Sequence, residues 1–121
     1  MKKKKLTLTE EKALEAAYRS FRCTMRNEII NSFISEMYGG VKSAISLWSF
    51  MDQEEKYYSI LVDDKVTVYL RVDRDTNIVT YAEEENVQDI LRHARRQDKI
   101  ELEAALFVAR EAMSKATETE R

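Results

Sequence analysis

The chain has 121 residues, 44% hydrophobic and 35% charged, and its 20 basic and 22 acidic residues give a formal net charge of -2. That length fits one domain with a core of moderate extent, and the near-balanced charge exerts no overall pull on nucleic acid or membrane. One His, one Cys, two Gly and no Pro leave too few parts for most clustered catalytic, metal or phosphate-loop sites, so no catalysis, metal or cofactor is expected.

The chain begins with Lys2–Lys5, and residues 1–8 read as a flexible basic tail. No apolar stretch follows that would make a secretory signal, and no run is long enough to span a bilayer. Cys23 has no partner for an internal disulfide, which suits a cytoplasmic location. Residues 9–116 read as a single α+β domain and 117–121 as a frayed polar end.

The first predicted element is a long helix from about Thr9 to Tyr38. Thr7 and Glu10 have capping-box spacing, and Gly39-Gly40 supplies the stop. Its apolar residues change direction midway. Leu14, Tyr18, Phe21 and Met25 lie well over 90° around the helix from the broader group Ile29 to Tyr38. Either the helix kinks near Arg26–Glu28, or its halves bury against different things. The second possibility suggests a homodimer through this helix.

The same helix carries a neutral polar stripe of Ser20, Thr24, Asn27, Asn31 and Ser35. Small uncharged side chains allow close approach, which makes the stripe a candidate partner contact. Alternatively it packs on the chain's own sheet with its hydrogen bonds satisfied. Arg19, Arg22 and Arg26 form a secondary basic patch, with Glu15 at the spacing that supports Arg19.

A second, short helix is predicted over 41–51, because Val41, Ala44, Ile45, Trp48 and Met51 fall on one helical face. The two helices would form a helical hairpin. The period then changes to two. Tyr58, Ile60 and Val62, then Val66, Val68, Leu70 and Val72, then Ile78 to Ala82, predict a three-stranded antiparallel meander. Asp63-Asp64 and the run Arg74 to Asn77 mark its turns. The aromatic set Trp48, Phe50, Tyr57 and Tyr58, near Tyr69 and Arg71, reads first as core. Base stacking on a sheet face is the alternative.

One or two C-terminal helices complete the α+β fold. A third helix is expected from about Glu85 to Gln97, with Glu83–Glu85 at its start, and a break at Asp98 is left open. Arg92, Arg95, Arg96 and Lys99 would share one face of it, forming a cationic stripe for phosphate or an acidic protein, or else a solvated face. Leu102, Ala105, Leu106, Ala109 and Met113 make the last apolar stripe.

Enzymatic readings are thin. Asp63, Asp64, Asp73 and Asp75 sit at opposite ends of one strand, too far apart to share an ion. Cys23 and His93 would pair only if the fold brought them together. The leading expectation is a small non-catalytic protein-interaction module, in its sharpest form a phage or mobile-element inhibitor that blocks another macromolecule. A nucleic-acid-binding accessory protein using the cationic stripe is the alternative.

Overall fold

The computed structural model describes residues 5–119. Residues 1–4, 120 and 121, which hold the first half of the predicted basic tail and the end of the polar one, lie outside the described residues.

The described residues form an α+β fold in the order α1 (Leu8–Met25), α2 (Glu28–Tyr38), β1 (Ala44–Met51), β2 (Glu55–Val62), β3 (Val66–Asp73), β4 (Val79–Asn86), α3 (Val87–His93) and α4 (Arg96–Thr119). The strands make one antiparallel sheet in the order β1-β2-β3-β4. The three-stranded meander is thus corrected to four strands, and the short helix over 41–51 to strand β1. The glycine turn joins helix to strand, with Gly39 at φ +76, so there is no helical hairpin of the expected kind.

Helix α1 opens on the expected capping box. The Glu10 N–H donates to Thr7 Oγ1 at 3.2 Å, and the Thr7 N–H to Glu10 Oε1 at 3.1 Å. The long helix breaks where its apolar stripe turns. Asn27 leaves helical geometry and caps α2, accepting the Ile30 N–H at 3.1 Å. Asn31 Nδ2 donates to the Thr24 and Asn27 carbonyls at 2.7 and 2.8 Å. The Thr24 carbonyl also accepts the Asn27 N–H and the Asn27 carbonyl the Asn31 N–H, each at 3.0 Å, so one side chain ties the end of α1 to the first turn of α2.

Breaking the helix lets its two halves bury on opposite sides of the sheet. Alternation along paired strands defines two faces. On the first face, Ile30 and Ile34 of α2 pack against Ala44, Ile60, Val62, Val68 and Leu70. On the second, Ala17 of α1 and the stripe Leu102, Ala105, Leu106, Val108 and Ala109 of α4 pack with Ile45, Leu61 and Val87. Most of both apolar groups of the predicted long helix is therefore buried within one chain, with Met25 and Met37 left exposed. The rotation that suggested a dimer needs no second copy.

Polar contacts fasten these layers. Tyr18 donates to Glu111 at 3.0 Å, joining α1 to α4, and Tyr38 donates to Glu84, joining α2 to β4. Asp63, in left-handed geometry at φ 49, accepts the Lys42 and Ser43 N–H groups, each at 2.9 Å. Asp73 likewise accepts the Asp75 and Thr76 N–H groups, each at 2.9 Å. These turn aspartates hold backbone. Among the described residues no group of three or more His, Cys, Asp or Glu is placed to hold a metal. Among them, too, no helix is long and apolar enough to cross a membrane.

Candidate functional site

Helices cover only one end of the second sheet face. Ile45, Leu61 and Val87 lie under α1, α3 and α4. Toward the other end the same face carries Trp48, Phe50, Tyr57, Tyr69, Arg71 and Tyr81, with Ser59 between them. Trp48 is 50% exposed, Phe50 62% and Tyr81 43%. The core assignment of this aromatic set is therefore corrected for all but Tyr58. That residue lies on the opposite face, packed against the α2 cluster.

Two β-bulges put these rings where they are. In β1, Ser46 pairs with Ile60 and Trp48 with Ser59, so Leu47 is the extra residue. In a regular ladder Leu47 would pair with Ser59, and Trp48 and Phe50 would fall on the α2 side. In β4, Val79 pairs with Val72 and Tyr81 with Arg71, leaving Thr80 as the extra residue. That insertion keeps Val79 against the α2 cluster while turning Tyr81 to the open face. A bulge re-aims every side chain beyond it, and both do so here in favour of exposed aromatics.

The rings touch one another. Trp48 and Tyr69 have centroids 5.9 Å apart, Phe50 and Tyr57 5.7 Å, and Tyr69 and Tyr81 meet edge-on at 6.0 Å. Arg71 lies over two of them, its Cζ 4.9 Å from the Tyr81 centroid and 5.5 Å from that of Tyr69, and its Nε donates to the Tyr69 hydroxyl at 3.0 Å. Carboxylates hold the other hydroxyls. Tyr57 donates to Asp52 at 2.7 Å and Tyr81 to Glu83 at 2.9 Å. These bonds, followed by burial at Tyr57 and by charge at Tyr81, raise both phenol pKa values, that of Tyr57 to about 12. The result is an ordered aromatic platform around one guanidinium, with an acidic rim.

Beside the platform, a cleft of about 550 Å³ runs between the sheet and the α3–α4 corner. Trp48, Glu85, Asp89, Asp98 and Glu101 are among its walls, and Thr67 and His93 also line it.

The sequence-predicted residues fall elsewhere. In the neutral stripe, Ser20 Oγ donates to the Ser46 carbonyl at 2.6 Å, and Thr24 Oγ1 accepts the Ser46 N–H at 3.0 Å. These two side chains satisfy the outer edge of β1, where another strand would otherwise pair. Asn27 and Asn31 build the α1–α2 joint. The polar groups of all four are thus engaged within the chain, the alternative weighed for them above.

The cationic residues do not share one helix face. Arg92 lies in the last turn of α3, Arg95 between the helices, and Arg96 and Lys99 in the first turn of α4. The helix stops at His93, before the break considered at Asp98. The acidic run Glu83–Glu85 belongs to edge strand β4, where charge discourages further strand pairing. Arg92 pairs with Asp89 at 3.5 Å, with both side chains exposed. Arg19, Arg22 and Arg26 are exposed on or just after α1, and no ion pair joins Glu15 to Arg19 among the described residues. Cys23 is exposed and lines a different cleft from His93, so the only nucleophile pair considered is not assembled.

Comparison with protein-family models, with curated proteins and with solved structures returns no match. Function must be argued from the platform itself.

Proposed function

We propose that this chain is a non-catalytic protein-interaction module whose contact surface is the aromatic platform. The observation that carries the reading is the exposure of Trp48, Phe50 and Tyr81 on one sheet face, delivered there by two bulges. A ring that is half exposed adds little to the core. Trp, Tyr and Arg are also the residues that dominate binding energy at protein interfaces. Their mutual contacts fix the rotamers before association, which lowers the entropy cost of docking.

The rim decides the partner's chemistry. Asp52, Glu55, Asp73 and Glu83 surround the rings, and a phosphate backbone approaching them would meet repulsion. A protein surface with an apolar centre and basic flanks is complementary. Covering such a surface blocks it, so inhibition is the sharper form of this reading, with a phage or mobile element as the expected origin.

One observation favours a second reading. Arg95, Arg96 and Lys99 are exposed at the positive end of α4, where cations are disfavoured by the helix dipole. Among the described residues none of them has an ion-pair partner, so they are available to nucleic acid or to an acidic protein.

The test compares tagged wild type, the double variant Phe50→Ser/Tyr81→Ser, and Arg95→Glu/Arg96→Glu in capture from native lysate, with and without nuclease. The platform reading expects a nuclease-resistant protein that the first variant loses and the second retains. Equal capture by Phe50→Ser/Tyr81→Ser would overturn it. Loss with nuclease or with the Arg variant would transfer the function to the cationic residues. Light scattering on the free chain adds one check, since a dimer dispersed by Phe50→Ser/Tyr81→Ser would make a second copy the occupant.

A further inference from the structure

We infer that the open half of edge strand β1 pairs antiparallel with the same strand of a second copy of this chain, joining the two sheets into one. The inference goes beyond the platform reading, because it uses the backbone edge of the strand and not the open faces of the rings.

The hydrogen-bond ladder fixes which backbone groups face outward. At the β1–β2 turn the Asp52 N–H donates to the Glu55 carbonyl at 3.0 Å, and at the other end the Asp63 N–H donates to the Ser43 carbonyl at 2.8 Å. Alternation from these two ends, with the bulge at Leu47 between them, turns the backbone groups of Ile45, Trp48 and Phe50 toward β2. Those of Ser46, Ser49 and Met51 turn the other way. Ser46 agrees with this phase, since its N–H and carbonyl are the groups that Thr24 and Ser20 engage. That cover ends at Ser46. Among the described residues no hydrogen bond reaches the outward N–H and carbonyl groups of Ser49 and Met51. A cleft of about 320 Å³, walled by Cys23, Thr24 and Asn27, separates the α1–α2 joint from Ser49, so the joint does not close the edge there.

The two edges of the sheet are composed differently. Strand β4 carries Glu83, Glu84 and Glu85, charges that repel another strand. Strand β1 carries no charge from Ala44 to Met51, and Ser49, Phe50 and Met51 are all exposed. An uncharged, exposed edge with unpaired donors and acceptors is a template for one more strand.

A second copy fits that template. A two-fold axis at Phe50 sets Ser49 opposite the partner subunit's Met51, and Met51 opposite the partner subunit's Ser49. Every outward N–H of these residues then meets a carbonyl, with none left over. The two Phe50 rings become direct cross-strand neighbours between these pairs, an arrangement that aromatic side chains stabilise. No like charges meet along the strand. Beyond its end, the exposed Glu54 of one copy runs toward the α1–α2 joint of the other, where Arg26 is exposed. Neither residue has an ion-pair partner among the described residues. This opposite charge at the end of the strand favours a copy of this chain over a strand of arbitrary sequence. The interface is small, so association is expected at high concentration.

Sedimentation equilibrium of the full chain up to roughly 1 mM tests this. A dimer is expected, with slower amide exchange at Ser49 and Met51 as concentration rises. The side chains of Ser49 and Met51 lie on the α2 side of the sheet, away from the rings, so charges can be placed there without touching the platform. Ser49→Glu/Met51→Glu sets like charges opposite one another across the axis and should weaken the dimer at least about tenfold. Ser49→Lys/Met51→Glu sets opposite charges there and should restore it. Met51→Glu is common to both variants, so its attraction to Lys56, its cross-strand neighbour on β2, cancels between them. Tyr81→Ser, on the platform but at the far edge of the sheet, should leave the dimer unchanged. Urea unfolding of each variant checks that the fold is kept.

A chain that stays monomeric at the highest concentration overturns the inference. So does a dimer without slower exchange at Ser49 and Met51, one that Ser49→Glu/Met51→Glu leaves intact, or one that Ser49→Lys/Met51→Glu fails to restore. A dimer lost in Tyr81→Ser would run through the ring faces and would overturn it as well. Lysate capture by Phe50→Ser/Tyr81→Ser reads the platform separately, so the failure of one reading is distinguishable from the failure of the other.

Discussion

The two faces of one sheet differ in cover, and their side chains differ with it. Strands β2 and β3 turn Ile60, Val68, Leu70 and Val72 to one side, all buried, most of them beneath α2. The same strands turn Tyr57, Tyr69 and Arg71 to the other side, where no helix lies over them. Within β2 the second face passes from Tyr57 through Ser59 to Leu61, from open platform to covered core, in five residues. Aliphatic groups stand mainly where helices reach, and the rings Trp48, Phe50, Tyr57, Tyr69 and Tyr81 stand where they do not. The open surface is therefore a separately composed region, since the covered parts of both faces already hold the aliphatic core.

The largest effect expected from this comparison is a reversal between stability and binding. Ile34 is fully buried at the centre of the α2 cluster. Ile34→Ala should destabilise the fold by about 2–5 kcal/mol, as core truncations do. Phe50→Ser should change stability by no more than about 0.5 kcal/mol, as surface substitutions do, while impairing capture of the partner. Urea unfolding midpoints for the two variants decide the matter. If Phe50→Ser costs as much as Ile34→Ala, the platform is core after all and the contrast collapses.

A smaller effect concerns the sheet edge. Thr24→Val keeps the shape of a buried residue but leaves the Ser46 N–H without its acceptor. A loss of about 1–3 kcal/mol is expected from that unpaired donor, and Thr24→Ser should recover most of it. If Thr24→Val matched wild type in urea, the neutral stripe would not be holding the edge of β1, and a role for Ser20 and Thr24 toward a partner would regain weight.

Much of the covered region was legible in the sequence, and the open region was the part that misled. The capping box, the β2–β3 hairpin around Asp63 and the stripe from Leu102 to Ala109 follow local rules that the fold obeys. The change of apolar direction near Arg26 also marked a real break, at the cap Asn27. Strand β1 was misread as a helix for a physical reason. Its bulge adds Leu47 between Ile45 and Trp48, so residues on one sheet face are three apart, which is also helical spacing. Losing β1 hid the platform, because Trp48 and Phe50 then had no sheet to stand on. The cationic residues were misplaced for a related reason. With β4 extended to Asn86 and α3 ending at His93, the run that looked like one helix face is divided by a corner. The exposed state of the aromatics depends on where α3 and α4 stop covering the sheet, and no local pattern encodes that.

The mildest prediction probes the rim of the platform. The Tyr57 hydroxyl donates to Asp52 Oδ2, while Asp52 Oδ1 accepts the Glu54 and Glu55 N–H groups at 2.8 and 2.7 Å. The hydrogen bond to the carboxylate, more than burial or the wider acidic field, pushes the Tyr57 pKa up to about 12 from an ordinary 10.0. The folded state thus binds this proton more tightly than the unfolded state does. Its contribution to stability is fully present below about pH 10 and is lost as pH rises through about 12. Asp52 shifts the opposite way, held low first by the Glu55 N–H and then by the Tyr57 hydroxyl. Its contribution is present above the ordinary carboxylate pKa of about 4 and disappears as pH falls through the lower folded value. Asp52→Asn retains an oxygen for the backbone bonds but removes the charge, so Tyr57 should titrate nearer 10. Tyrosinate absorbance, with Tyr57→Phe to assign the component, measures this directly. An unmoved Tyr57 titration in Asp52→Asn would mean that the rim carboxylate does not hold that ring, and the platform would be less ordered on that side than its hydrogen bonds imply.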